Sequence, residues 1–293
     1  MLFATAELSR SKRQFAMLTV GTGLLVFVLL LVQGLLTAVL DGMAGAMSRQ
    51  SAPVLVYTRD AQRSVAGSIM TTPQLDAVRG AAGVAAASEL GTSLLTFTSA
   101  QSPKAFGVNV MGYRPGRPGE PVALKAGRLP QAPGEAVLSA EAASGRAAIG
   151  ETVTAETGAI PLTIVGLTEG MLINVGPTLW TPWETYEQLY KAANPDAAMV
   201  WFSAVAVQPD AGVAAEQLVR DLGAALPELD PMTREAAAVT VPGRDAIQGA
   251  FSLMMTLCYL VVGVVICFFF LTMTLHKEAS ITLMRAIGIH GSY

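Results

Sequence analysis

The sequence is short of charge. Only 14% of its 293 residues are Asp, Glu, Lys or Arg, where a soluble globular domain carries about 25%. That shortfall points to lipid before any single segment is inspected. The net charge of −3 supplies no basic field for a phosphate backbone, and neither helix-turn-helix nor zinc-finger spacing occurs, so nucleic acid is not a partner. Histidine is scarce, present only as His276 and His290. With no His-Glu-x-x-His and no Cys-x-x-Cys, a zinc site built from this chain alone is not expected, and no cofactor is assigned. Gly-x-x-x-x-Gly-Lys-Ser/Thr is missing, so the chain holds no P-loop for nucleotide phosphates. Gly-x-Ser-x-Gly is missing as well, and without a catalytic cluster the chain does not read as an enzyme. The two cysteines, Cys258 and Cys267, both lie in one hydrophobic run. Nine residues apart, they face opposite sides of a helix and cannot share a metal, which leaves them as small apolar packing groups. The domain of roughly 200 residues before them has no disulfide to rely on and is large enough to be held by burial alone.

Two long apolar runs are what the sequence has instead. From Phe15 to Leu40 no residue is charged, and Leu, Val and Phe dominate. A helix needs about 20 apolar residues to cross roughly 30 Å of hydrocarbon. This run is longer, so it either tilts or projects beyond the membrane as a stalk. The alternative is a secretory signal peptide, with Arg10, Lys12 and Arg13 before it and small residues from Ala44 to Ser48 after it. Signal h-regions span only about 7–15 residues, and this run exceeds them. The second run extends from Ala246 to Leu275 and ends at His276 and Lys277. Positive residues flank the outer end of each run, Arg10 to Arg13 before the first and Lys277 and Arg285 after the second. That bias puts both termini in the cytoplasm and the intervening domain outside the cell membrane. Residues 1–14 then form a cytoplasmic segment, in which Leu2, Phe3 and Leu8 can share one helical face. Either a short helix lying on the inner membrane surface or a frayed terminus fits it.

Between the spans, residues 41–245 change in character, with frequent Pro and Gly and short β-like runs between helical ones. The pattern predicts strands at Pro53–Tyr57, 83–87, Ser93–Thr98, Ala105–Met111, Thr152–Ala155, Leu162–Val165 and Phe202–Val207. It predicts helices at Thr72–Arg79, with Thr72 as N-cap, at Trp180–Lys191 and at Val213–Leu226, and a strand running into a helix over Gly134–Ala143. Interleaved strands and helices make this an α+β domain, inserted between two transmembrane α-helices. Val241-Pro-Gly-Arg-Asp245 reads as the turn that hands the chain to the second span.

Two sets of residues stand out as candidates for function. Met254, Met255 and Met273 cluster in the second run with Tyr259, and His276 follows. Met, Tyr and His all ligate haem iron, so a haem or other flat hydrophobic ligand fits these side chains, although methionine in an apolar span is usually packing filler. The segment 276–293 begins polar and continues with helical spacing, placing Ile281, Met284 and Ile287 on one face, with Glu278 and Arg285 elsewhere and Gly288 as a stop. A short amphipathic helix below a span either lies on lipid or enters a groove on a partner.

Lys277-Glu278 followed by Leu283-Met-Arg-Ala-Ile-Gly288 resembles the signature of FtsX-like, MacB-type ABC transporter permeases. Gly127-Arg-Leu-Pro with Gly134-Glu-Ala-Val-Leu-Ser139, then Ile149-Gly-Glu-Thr-Val153 and Leu162-Thr-Ile-Val-Gly166, resemble stretches of that family's extracytoplasmic domain. Val241-Pro-Gly-Arg244 resembles the entry to the second span in the DevC and HrtB branch. In order along the chain, these matches cover span, domain, span and tail, giving segments 1–14, 15–40, 41–245, 246–275 and 276–293. The resemblance implies a bacterial inner-membrane exporter subunit that pairs as a homodimer and couples to a separate P-loop ATPase. It further implies that Glu278, Ile281, Met284, Arg285, Ile287 and Gly288 form the ATPase-coupling helix, and that the substrate is hydrophobic or amphipathic, such as haem, lipid, peptide or drug. Family members have four spans, so the resemblance also leads one to expect the first half of a longer permease. A two-span sensor or a scaffold with a ligand-binding outer domain is the alternative; a sensor should carry a cytoplasmic domain, for which the tail is too short.

Overall fold

The computed structural model describes residues 12–102 and 104–286. The chain divides into two compact units, Val39–Arg244 and the segments on either side of it. Two helices dominate the flanks. Helix α1 (Lys12–Ser48) and the last helix (Arg244–Ala286) each contain a stretch long and apolar enough to cross a membrane, Thr19–Ser48 and Arg244–Thr272. Leu24, Phe27 and Leu30 on the first, and Leu253, Leu260 and Phe268 on the second, are exposed. Rows of bare Leu and Phe on both helices fit immersion in lipid, where no water must be ordered around them. The first helix outlasts its charge-free run, as a stalk would. Its final turns bury Met43, Ala44, Ala46 and Met47 in the inserted domain. Leu2, Phe3 and Leu8, expected on a surface helix, lie outside the described residues.

Among the described residues the inserted domain carries ten strands and five α-helices in the order β1 (Val54–Thr58), α2 (Thr72–Arg79), β2 (Val84–Ser99), β3 (Phe106–Tyr113), β4 (Leu124–Gly127), β5 (Glu135–Ser139), α3 (Ala140–Ala143), β6 (Thr152–Ala155), β7 (Pro161–Thr168), β8 (Thr178–Pro182), α4 (Trp183–Ala193), β9 (Ala204–Pro209), α5 (Ala215–Ala225), β10 (Leu229–Thr233) and α6 (Arg234–Val239), before α7 (Arg244–Ala286). All strands join one mixed sheet ordered β10-β1-β9-β2-β3-β8-β5-β7-β4, with β6 bridging β2 and β7. Because β6 pairs with both, the circuit β2-β3-β8-β5-β7-β6 closes on itself, while β10, β1 and β9 fan out as an open wing.

One strand holds the two parts together. Over 16 residues β2 pairs first with β9, from Val84 to Leu90, then with β3 from Gly91 to Phe97, and finally with β6. The sequence pattern divides this strand in two, because Ser88, Glu89 and Gly91 interrupt its apolar run. In the fold these polar residues mark where the strand passes from wing to barrel, and both Ser88 and Glu89 are buried there.

Alternation explains how the wing is covered on both faces. Val54 and Val56 of β1 join one core with Val205, Val207, and Leu218 and Leu222 of α5. Leu55 and Tyr57 point the other way, into a second core with Ala46 and Met47 of α1, Trp180 and Ala237 of α6. Helix α4 lies against paired glycines. Gly91 and Gly112 face each other across β2 and β3, and a Cβ on either would collide with the Tyr186 ring. Tyr186 is buried and donates its hydroxyl to Thr92 O at 3.2 Å.

Two local expectations need correction. The helix expected over Trp180–Lys191 begins at Trp183, because Thr178–Pro182 is a strand parallel to β3 and Trp180 pairs with Met111 and Val137. Pro182 fixes the boundary: the residue before a proline is pushed out of the α region. The N-cap of α2 is Thr71, not Thr72. Gln74 sits three residues after Thr71 and takes its backbone N–H on Oε1 at 2.9 Å, which the same side chain could not do one residue on.

Candidate functional site

Two features of the inserted domain stand out, its joint with the end of α1 and a cleft on its face. The grip on α1 is made of backbone. The chain between Gly170 and Gly176 forms a tight turn closed by Ile173 and Gly176, whose N–H groups and carbonyls pair at 3.2 and 2.8 Å. Asn174 and Val175 at its tip have φ of 49° and 61°. Asn tolerates that left-handed region, but a β-branched valine there is strained and must be held. Helix α1 holds it: Val175 N–H donates to Gly42 O at 2.9 Å and Asn174 N–H to Met43 O at 3.1 Å, while Ala46 N–H donates to Leu172 O at 2.9 Å. Approach this close requires glycine on the helix. A Cβ on Gly45 would overlap the carbonyl of Gly170, whereas one on Gly42 would make only ordinary contact with Val175.

Polar side chains lock the same joint. Arg49 donates to Glu169 O at 3.0 Å, and buried Gln50 caps the helix end by donating to Met47 O at 3.3 Å and to Ala52 O at 2.8 Å. Arg234 reaches Gln50 O at 3.1 Å, tying the start of α6 to the end of α1. Arg244, the first residue of α7, donates to Leu40 O at 3.1 Å. The chain therefore enters and leaves the domain through one hydrogen-bonded collar.

A second feature is a cleft of about 780 Å³ on the face of the wing, between α2 and α4. Its floor carries Glu89, whose side chain is 6% exposed and accepts from Arg114 Nε at 2.5 Å and from Arg79 at 3.4 Å. Arg79 also donates to Ala87 O at 3.1 Å, and Arg114 stacks 5.7 Å from the centre of the Trp183 ring. Burying a carboxylate is tolerated only with such pairing. Removing either arginine would leave Glu89 short of a partner. Sequence reasoning missed this site because its walls come from residues 72–89, 114–117 and 183–202, which only the sheet brings together. The one signal available was an isolated glutamate inside an apolar strand.

The residues picked from sequence lie on α7. Met255 and Tyr259, one turn apart, share a face, with Tyr259 exposed and Met255 half-buried. Met254 is exposed on a different face. Met273 follows Tyr259 by fourteen residues on the same unbroken helix, about 21 Å along its axis, so within this chain it does not converge on the others. Glu278, Ile281, Met284 and Arg285 lie in the last turns of the helix; Ile287 and Gly288 lie outside the described residues.

The family described as MacB-like periplasmic core domain matches residues 16–225. No curated protein matches the chain. Among solved structures, the periplasmic region of MacB from Actinobacillus actinomycetemcomitans is 13% identical over 64% of this chain and 92% of its own, with a TM-score of 0.44. The extracellular domain of the noncanonic ABC-type transporter YknZ from Gram-positive bacteria is 14% identical over 61% of this chain and 98% of its own, with a TM-score of 0.40. The family match takes in the first apolar helix and the inserted domain through α5, the parts joined by the collar. The chain belongs to the MacB-like periplasmic core domain family of FtsX-like ABC transporter permeases.

Proposed function

We propose that the chain is a permease subunit that couples ATP hydrolysis on a separate P-loop ATPase to movement of the inserted domain, and so to export of a hydrophobic or amphipathic substrate. The observation that carries this reading is the continuity of α7. One helix of 43 residues runs from Arg244, in the collar, to Ala286, in the tail with the Leu283-Met-Arg-Ala-Ile-Gly288 signature. At 1.5 Å per residue that is a rod of roughly 64 Å, with no proline or break to absorb displacement at one end.

In this reading the inserted domain is extracytoplasmic, both termini are cytoplasmic, and two copies of the permease work with two ATPase subunits. Ile281, Met284 and Ile287 dock in a groove of the ATPase, and Glu278 and Arg285 make polar contacts at its rim. ATP-driven closure displaces this end, and the collar delivers the displacement to the β7–β8 turn and to α6.

Met284→Asp tests it. A charge in an apolar docking face is expected to abolish permease-dependent stimulation of the co-purifying ATPase, while membrane insertion stays intact. Unchanged stimulation in a reconstituted complex would sink the assignment.

A further inference from the structure

We infer that a small pocket within the collar binds an uncharged molecule the size of a single ring that carries one hydroxyl or carbonyl. The pocket measures about 120 Å³. An engineered protein cavity of roughly 150 Å³ takes up benzene, whereas drug-sized ligands fill sites of roughly 300–1,000 Å³. The occupant is therefore smaller than the substrates proposed above for export, and its binding does not depend on coupling to an ATPase. Three segments of the collar form the floor. Met43 and Met47 come from α1 one turn apart, Ile173 from the β7–β8 turn and Ala237 from α6, all of them buried. Thioethers adapt to a ring and make favourable contacts with its edge. The rim is open, with Ala66, Asn174 and Pro242 exposed.

Tyr57 supplies the polar contact. It belongs to strand β1, is 2% exposed and lines the pocket. Among the described residues its hydroxyl has no hydrogen-bond partner. Tyr113 and Tyr186, also buried, donate theirs to Pro130 O at 3.1 Å and to Thr92 O at 3.2 Å. Nor is the Tyr57 hydroxyl sealed inside the core, as the unpaired Trp180 indole N–H and Thr168 hydroxyl are. A ring packed on its other sides, with a hydroxyl neither paired nor sealed, presents that hydroxyl to the pocket, where it serves a ligand oxygen as donor or acceptor. Charge at the rim is balanced. Arg63, the one charged residue among the described lining, pairs with Asp230 at 3.2 Å, so an ionised ligand finds no free countercharge.

The test uses the full chain in nanodiscs of zwitterionic lipid, with 4-fluorophenol as probe and its fluorine resonance as readout, against empty discs that report partition into lipid. A saturable shift above that partition is expected. A pocket that holds water alone would give the signal of empty discs and overturn the proposal. Tyr57→Phe should weaken binding by about threefold to tenfold, the size of one neutral hydrogen bond. Fluorobenzene, which has no oxygen, should bind wild type and Tyr57→Phe alike, showing that the pocket keeps its shape in the variant. Tyr113→Phe removes a hydroxyl that is already bonded, and should leave the affinity for the probe unchanged. Benzoate, ionised at neutral pH, should not displace the probe. Equal affinity of 4-fluorophenol for wild type and Tyr57→Phe, loss of both probes together, an equal loss in Tyr113→Phe, or displacement by benzoate would each contradict the assignment.

Discussion

Individual side chains carry much of the domain's electrostatic logic, and Glu135 is the clearest case. It starts β5 and accepts a forked pair of bonds from Arg128, with further bonds from Gln131 N–H at 3.0 Å and Ala132 N–H at 3.3 Å. The Arg128 hydrogen bonds, then those backbone donors, hold its carboxyl at about 2, well below the usual carboxylate range. A carboxyl lowered by folding contributes stability that is fully present above its unfolded value, about 4.3, and is lost as pH falls toward its folded value. Glu135→Gln is therefore expected to be less stable than wild type at neutral pH and to show a flatter stability profile between about pH 4.5 and 2. Urea unfolding followed by tryptophan fluorescence across that window checks it, and parallel wild-type and variant profiles would refute it. Burial also pushes the hydroxyls of Tyr57, Tyr113 and Tyr186 above their ordinary range.

At the level of elements, the collar turns on one glycine. Gly45→Ala is expected to push the β7–β8 turn off α1 and cost about 1–3 kcal/mol, the usual penalty of overpacking. For a domain of this size each kcal/mol lowers Tm by roughly 2–4 °C. Gly42→Ala, which meets only ordinary contacts, is the control. Both spans, β1, α2, the β5–α3 unit, the β6–β7 pair and α5 were legible in the sequence because periodicity, turn residues and caps agreed locally. Strand β10 was not. It contains Pro231 and pairs with one neighbour, β1, and proline is tolerated on such an edge although it argues against a strand in sequence. The helix read from the sequence takes in Trp180, and only Pro182 hints otherwise. Neither the collar nor the cleft could be read in advance, since each joins segments more than a hundred residues apart through the sheet register.

For the whole molecule, the question is whether force passes along α7. Gly263 lies in its apolar stretch, and a Cβ there meets nothing within 4 Å. Gly263→Ala should leave the helix intact and act as the control. Gly263→Pro removes a backbone donor, and its ring meets the carbonyl one turn back, at Tyr259, so the rod bends there. The most direct measurement is ATP turnover by the co-purifying ATPase, reconstituted with wild type, Gly263→Ala or Gly263→Pro, with assembly verified by co-elution. Transmission through an unbroken α7 predicts that the proline variant assembles yet no longer lets the inserted domain influence turnover, while the alanine variant behaves as wild type. Full stimulation by an assembled Gly263→Pro permease would contradict it.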